Sequence, residues 1–218
     1  GTTVVALGTS LPELSVSTIA SLRNDEGLAM GNIVGSNIIN VFFILGVGIV
    51  VGRLRVGTTK TQRNAWLLLA ITLLFVGVNF VPISRILSGA LLLILAGVTT
   101  ITEFKWALWG RNHEDLKSSK NIGKSKFTSG EIIKLLLSVV GVVIGGLWVV
   151  AATQNISVIT GYSTTVLGLS LTAIVTSLPE LLTTVFSQEE HLEKITVGNI
   201  IGSNIYNLLL IGGITILS

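Results

Sequence analysis

The sequence predicts an all-α integral membrane protein in which one pair of helices occurs twice, in opposite orientations. The composition is the first observation behind this: of 218 residues, half are hydrophobic and 11% are charged, with a mean hydropathy of +0.81. A soluble domain of this length carries about a quarter charged residues. The second is the bunching of apolar residues into runs of about 18 to 23, enough to span a hydrocarbon core of roughly 30 Å. The third is a pair of motifs that recur at one fixed offset. Transmembrane strands are excluded, because the segments are too long and too uniformly apolar for the alternating ten-residue pattern of a barrel.

Seven spanning helices are expected, at about 2–22, 28–52, 65–81, 85–105, 131–153, 164–186 and 196–217. Two connections are strongly polar. One, about 53–64, carries Arg53, Arg55, Lys60 and Arg63, and the other, about 105–131, carries Lys105, Arg111, Lys117, Lys120, Lys124 and Lys126. With seven spans, these loops share one side with Lys134 and Lys194. That side holds 12 of the 14 Lys and Arg residues, leaving Arg23 and Arg85 opposite. Lys and Arg accumulate on the cytoplasmic side, so the 53–64 and 105–131 loops are expected inside, in a plasma or inner membrane. The long basic loop reads as a solvated linker, with regulation as the alternative. Basic residues spread over loops do not form a nucleic-acid surface, and the lipid bilayer is the expected partner. With no cysteine, disulfides, thiolate metal sites and cysteine nucleophiles are excluded.

Thr9-Ser10-Leu11-Pro12-Glu13-Leu14 recurs as Thr176-Ser177-Leu178-Pro179-Glu180-Leu181, displaced by 167 residues (from Thr9 to Thr176). Gly31-Asn32-Ile33-Val34-Gly35-Ser36-Asn37-Ile38-Ile39-Asn40 recurs as Gly198-Asn199-Ile200-Ile201-Gly202-Ser203-Asn204-Ile205-Tyr206-Asn207 at the same displacement. The copies are five helices apart, an odd number, so the two copies cross the membrane in opposite senses. Inverted repeats of this kind build secondary transporters, with the substrate near the midplane where the halves meet. The symmetry calls for one helix before residue 1 and two after residue 218, giving ten helices in two halves of five. On this reading residues 1–106 are the first half, 107–130 the cytoplasmic basic linker and 131–218 the second half. The repeats themselves lie at about 1–52 and 164–218.

Of eleven acidic residues, only Glu13 and Glu180 fall deep within apolar spans. A charge there costs on the order of 3 kcal/mol or more unless it is paired, hydrated or neutralised. No Lys, Arg or His lies at that depth, so a bound cation or a proton must balance each carboxylate. The bland alternative is a protonated Glu bonded to a neighbouring helix. Pro12 and Pro179 precede the two glutamates, and each removes an amide N–H facing the carbonyl of Gly8 or Val175. Irregular backbone at this depth survives where it lines a site. Thr9 and Thr176 share a helix face with Glu13 and Glu180, four residues on. The second helix of each pair adds Asn32, Ser36 and Asn40, or Asn199, Ser203 and Asn207, in steps of four. These polar residues serve either as ligands or as packing glue, and the Gly31/Gly35 and Gly198/Gly202 spacing suits close helix approach. All the donors are oxygens, which suit hard cations such as Ca²⁺ and Na⁺. Two carboxylates neutralise one Ca²⁺ or two Na⁺, which suits exchange of one for the other.

These motifs resemble the two α-repeats of the calcium/cation antiporter superfamily, particularly its sodium/calcium exchanger branch, over about 1–50 and 164–218. The resemblance implies an inverted-repeat secondary transporter that moves Ca²⁺ against Na⁺ by alternating access and needs no cofactor. It implies that Glu13 and Glu180 are shared Ca²⁺ and Na⁺ ligands. Thr9 and Thr176 would add oxygens to Ca²⁺, while Ser10, Ser177, Ser36, Ser203 and the carbonyls of Ala6 and Ala173 would serve Na⁺. Asn40 and Asn207 would complete the centre, and Asn207, where potassium-dependent relatives carry Asp, argues against K⁺ dependence. Val175, where the first copy has Gly8, is a lesser departure. A proton-coupled Ca²⁺ antiporter is the alternative within the superfamily, and a cation channel is the alternative outside it. No nucleophile, base and orienting group occur together, so an enzyme is not expected. His113 and His191 fall in loops and read as solvated.

Overall fold

The computed structural model describes residues 2–52, 59–109, 128–189 and 193–218. Among these, every regular element is a helix. The first expected span is two helices, α1 (Thr2–Thr9) and α2 (Leu11–Leu22), that meet at Ser10. α3 (Glu26–Ile39) passes through one π-turn (Asn40–Ile44) into α4 (Leu45–Gly52). α5 (Thr59–Phe80), α6 (Arg85–Trp109) and α7 (Ser129–Thr160) follow. The second motif span starts with α8 (Thr164–Leu167), winds through a π-turn (Gly168–Thr172) into α9 (Ala173–Thr176), and resumes as α10 (Leu178–Glu189). α11 (Glu193–Tyr206) then continues through a third π-turn (Asn207–Ile211) into α12 (Gly212–Leu217).

Six of the seven expected spans are helical runs long and apolar enough to cross a membrane, among the described residues. The 2–22 segment is helical on both sides of a bend at Ser10, which adopts φ −82°, ψ 5°, with Pro12 in the first turn of α2. Other boundaries also move. α7 runs to Thr160 rather than 153, because nothing breaks it before Gly161, whose φ of +77° closes it in the left-handed conformation that glycine favours. At 1.5 Å per residue it is about 48 Å long, longer than the roughly 30 Å hydrocarbon core. α5 begins before residue 65 and α6 ends after 105, so Lys60, Arg63 and Lys105 belong to helix ends rather than loops. Arg53, Arg55, Arg111, Lys117, Lys120, Lys124, Lys126, His113 and His191 lie outside the described residues.

Two apolar cores hold the helices together. One joins α3, α5, α6 and the α11–α12 run through Ile33, Ile71, Phe75, Leu92, Ala96, Ile205, Leu208, Leu209 and Ile211. The other joins α2, α3 and α7 through Val16, Ala20, Leu28, Ala29 and Val150. Ile205 and Leu209 are 6% and 0% exposed beneath α5 and α6.

The turn between α2 and α3 is fastened by one carboxylate. Asn24 takes a left-handed φ of 59°, and Asp25 caps α3 by accepting from the Leu28 N–H at 3.1 Å. The same carboxylate accepts from Thr164 Oγ1 at 2.7 Å and Gln154 Nε2 at 3.0 Å, so α3, α7 and α8 meet at one residue. Nearby, Arg85 pairs with Glu26. At the other end of α5 and α6, Arg63 lies 3.6 Å from Glu103 and 3.6 Å over the Trp106 ring.

Candidate cation site

Both motif spans break at the same place in the same way. Ser177 has φ −85°, ψ 6°, against −82° and 5° at Ser10. In each case a proline two residues on cannot donate to the preceding turn, so the helix restarts at the serine and carries its glutamate in the new first turn. The polar-stripe helices also deform alike. Asn40 and Asn207 each open a π-turn, in which the Leu45 and Gly212 N–H groups donate to the Asn40 and Asn207 carbonyls five residues back. Single π-turns inside helices occur frequently at functional sites.

Helices of opposite repeats then pack on each other. α1 lies on α11, and α3 lies on the span from α8 to α9. Glycine makes the second contact possible: a Cβ on Gly31 would fall 2.6 Å from the Thr165 carbonyl oxygen, and one on Gly35 would fall 2.5 Å from that of Leu169. Such side chains have no room, so these glycines do serve close approach, as their spacing suggests.

The packing buries most of the sequence-predicted residues and joins several of them by hydrogen bonds across the repeats. Ala6, Ser10, Glu13, Asn32, Ser36, Asn40, Ala173, Thr176, Ser177, Glu180, Asn199, Ser203 and Asn207 are all buried, and Thr9 is half-buried. Ser177 Oγ donates to Glu13 Oε1 at 3.0 Å. Ser203 Oγ donates to Glu180 Oε1 at 2.9 Å and shares a 2.6 Å hydrogen bond with Ser10 Oγ. Each glutamate network therefore draws a serine from both repeats or from the opposite one. Thr176 Oγ1 lies 3.0 Å from Asn32 Oδ1 and 3.3 Å from the Ala173 carbonyl. Thr9 Oγ1 makes the matching bond to the Ala6 carbonyl at 3.2 Å. Ser36 Oγ donates to the Asn32 carbonyl at 2.7 Å.

Four of the buried side-chain atoms without a partner are oxygens of sequence-predicted site residues. Glu13 Oε2, Glu180 Oε2, Asn40 Oδ1 and Asn207 Oδ1 are buried and accept no hydrogen bond within the described residues. A buried polar atom without a partner costs about 1–3 kcal/mol, more when charged. Such oxygens, two of them carboxylate, are of the kind a hard cation satisfies. Among the described residues no Lys, Arg or His is buried, and no cluster of three His, Cys, Asp or Glu side chains is present. The donor set is therefore two carboxylates among neutral oxygens, which suits hard cations.

Several contributors escape sequence reasoning. Ser17 Oγ accepts from Asn32 Nδ2 at 3.0 Å, and Asn204 Oδ1 accepts from Asn40 Nδ2 at 2.8 Å. Ser17 was visible as the residue four beyond Glu13 on the same helix face. Asn204 was visible inside the repeated motif, but it lies off the four-residue stripe. The π-turns have no signature in a single apolar run.

Comparison with known proteins agrees with this architecture. The family model for sodium/calcium exchanger protein matches residues 1–104 and 131–218. Inner membrane protein YrbG of Escherichia coli is 33% identical over 98% of this chain and 67% of its own length. The sodium/calcium exchanger MaX1 of Methanosarcina acetivorans is 31% identical over 99% of this chain and 71% of its own. The solved sodium/calcium exchanger from Methanococcus jannaschii superposes with a TM-score of 0.60 at 30% identity, covering 99% of this chain and 67% of that one. The chain thus spans about two thirds of the length of the relatives it matches. It is an integral membrane protein with the inverted-repeat fold of those exchangers, and it belongs to the sodium/calcium exchanger family.

Proposed function

We propose that this protein is a secondary active antiporter that exchanges Ca²⁺ for Na⁺ by alternating access at the Glu13–Glu180 centre. The observation that carries this reading is the set of four unpartnered buried oxygens, Glu13 Oε2, Glu180 Oε2, Asn40 Oδ1 and Asn207 Oδ1, with no buried cationic side chain beside them. One Ca²⁺ or two Na⁺ balance the two carboxylates, so either load leaves the centre neutral, and a neutral centre is cheapest to bury.

In this assignment Glu13 and Glu180 bind both ions, Thr9 and Thr176 add oxygens to Ca²⁺, and Asn40 and Asn207 complete the centre. Ser10, Ser177, Ser36, Ser203 and the Ala6 and Ala173 carbonyls take Na⁺. The proline breaks at Pro12 and Pro179 free backbone oxygens beside the carboxylates. Asn199, whose two amide atoms have no partner among the described residues, and Asn32 are secondary contributors. The similarity to proteins named sodium/calcium exchangers supports the choice of ions. The basic 53–64 and 105–131 connections face the cytoplasm in this assignment, by the bias of Lys and Arg to that side.

The test is Ca²⁺ uptake into vesicles holding the full-length protein, under imposed Na⁺, K⁺ or H⁺ gradients. A Na⁺ gradient should drive uptake and a K⁺ gradient should not. Uptake driven by H⁺ alone would replace this reading with proton-coupled antiport. Uptake that follows only the Ca²⁺ gradient, with no coupling ion, would replace it with a channel.

A further inference from the structure

The two repeats are related by one offset, yet around their central asparagines they make different hydrogen bonds. Asn204 reaches across to the first repeat. Its Oδ1 accepts from Asn40 Nδ2 at 2.8 Å, and its Nδ2 donates to the Asn37 carbonyl at 3.3 Å. Asn37 holds the equivalent position in the first repeat, and its side chain turns the other way. Its Nδ2 donates to the Ile33 carbonyl of its own helix at 2.8 Å.

This difference passes directly to the central pair. Asn40 is anchored through its nitrogen, which leaves Oδ1 as its one unpartnered amide atom. Asn207 has neither amide atom bonded within the described residues. An amide has an acceptor end and a donor end, and only the oxygen binds a hard cation. An amide held by its NH₂ group presents oxygen in a fixed direction, whereas a free one turns both ends toward the site. Asn204 therefore makes Asn40 a prepared ligand, and among the described residues none does the same for Asn207 in this arrangement.

We infer that Asn37 and Asn204 are positioning residues that exchange these roles as the transporter alternates. In the inverted arrangement Asn37 leaves the Ile33 carbonyl, accepts from Asn207 Nδ2 and donates to the Asn204 carbonyl. Asn204 folds back onto the Ile200 carbonyl, its counterpart of Ile33. Each arrangement contains three hydrogen bonds of the same kinds, two between repeats and one back along a helix. The two arrangements thus offer the same set of hydrogen bonds, as suits a bistable element. Because the present network prepares one asparagine only, the site has its better-formed half in one repeat at a time. The repeat carrying that half changes with the face to which the site opens.

The inference rests on the antiport reading, and the test separates the two. Ca²⁺–Ca²⁺ exchange needs no coupling ion, so it is measured on the full-length protein in vesicles, with the KM for Ca²⁺ taken from each face in turn. Asn204→Ala should raise the KM on one face about tenfold, the size of one or two lost hydrogen bonds, and leave the other within about twofold. Asn37→Ala should raise it on the opposite face, and the double variant on both. Where an alanine variant does not assemble, Asn204→Leu and Asn37→Leu, which keep the volume, are read in the same way. Both single variants raising the KM on the same face would overturn the inference, as would an equal fall in maximal rate with KM unchanged. If Ca²⁺–Ca²⁺ exchange shows the split while a Na⁺ gradient drives nothing, the coupling ion is wrong and this inference stands. If the unsubstituted protein exchanges no Ca²⁺, both readings fall.

Discussion

Ser177 of the second repeat donates its hydroxyl to Glu13 of the first at 3.0 Å. The nearest hydrogen-bonding support of one site carboxylate thus comes from the other half of the duplicated structure. Glu180 is held by Ser203 of its own repeat, which in turn bonds Ser10 of the other. The centre is an interface between repeats, and any motion of one repeat against the other changes what each carboxylate touches.

That relationship sets the first prediction. Ser177→Ala removes the donor to Glu13 and leaves a second Glu13 oxygen to be satisfied, so it should raise the KM for Ca²⁺ by about tenfold, on the scale of a hydrogen bond to a charged group. Ser177→Thr keeps the hydroxyl and should lie close to the unsubstituted protein. Uptake kinetics in vesicles give both values.

The carboxylates themselves are the second. Glu13→Gln or Glu180→Gln removes one negative charge and leaves a centre that cannot balance a divalent ion. Each should reduce exchange to background. His113→Ala, at a position expected in a solvated loop, should transport normally, and initial uptake rates compare the three.

Close packing gives the third. A methyl group at Gly35 would lie 2.5 Å from the Leu169 carbonyl oxygen and 2.7 Å from the Ala173 Cβ, whereas one at Gly46 meets nothing within 4 Å. Gly35→Ala should therefore separate α3 from α9 and cost about 1–3 kcal/mol, the usual range for overpacking. Gly46→Ala should be neutral. Thermal denaturation of the two variants in detergent distinguishes them.

Asp25 gives the fourth. Its carboxylate serves Leu28, Thr164 and Gln154 on three helices. Asp25→Ala should lower stability by about 2 kcal/mol, as for loss of a charged hydrogen-bonding partner and a helix cap. Glu26→Ala removes only an exposed ion pair with Arg85 and should change stability by less than about 1 kcal/mol. The same melting experiment reads both.

Much of this centre was legible in the sequence, for a physical reason. A carboxylate in an apolar span is costly, so Glu13 and Glu180 stand out against their surroundings, and a single shared offset linked them to Asn32, Ser36, Asn40 and their partners. Helix periodicity then placed those side chains on one face, and burial of nearly all of them follows from that. Helix ends were less legible. Apolar composition alone does not say that α7 continues to Thr160 or that α5 takes in Arg63. The breaks at Ser10 and Ser177 were implied by Pro12 and Pro179.

Cross-repeat partners were not legible. Nothing in the spacing of Ser177 and Glu13 joins one to the other, because the contact depends on how two distant helices cross. The unequal roles of Asn37 and Asn204 were hidden for the opposite reason. Their sequence environments are nearly the same, and only tertiary packing breaks the symmetry.

The central claim is that one cation centre is shared by Glu13 and Glu180 and is contested by Ca²⁺ and Na⁺. Equilibrium binding of radioactive Ca²⁺ to the purified full-length protein, across a series of Na⁺ concentrations, addresses it most directly. Binding should be saturable, displaced by Na⁺, and lost in both Glu13→Gln and Glu180→Gln. Ca²⁺ binding that survives either substitution, or that is indifferent to Na⁺, would contradict it.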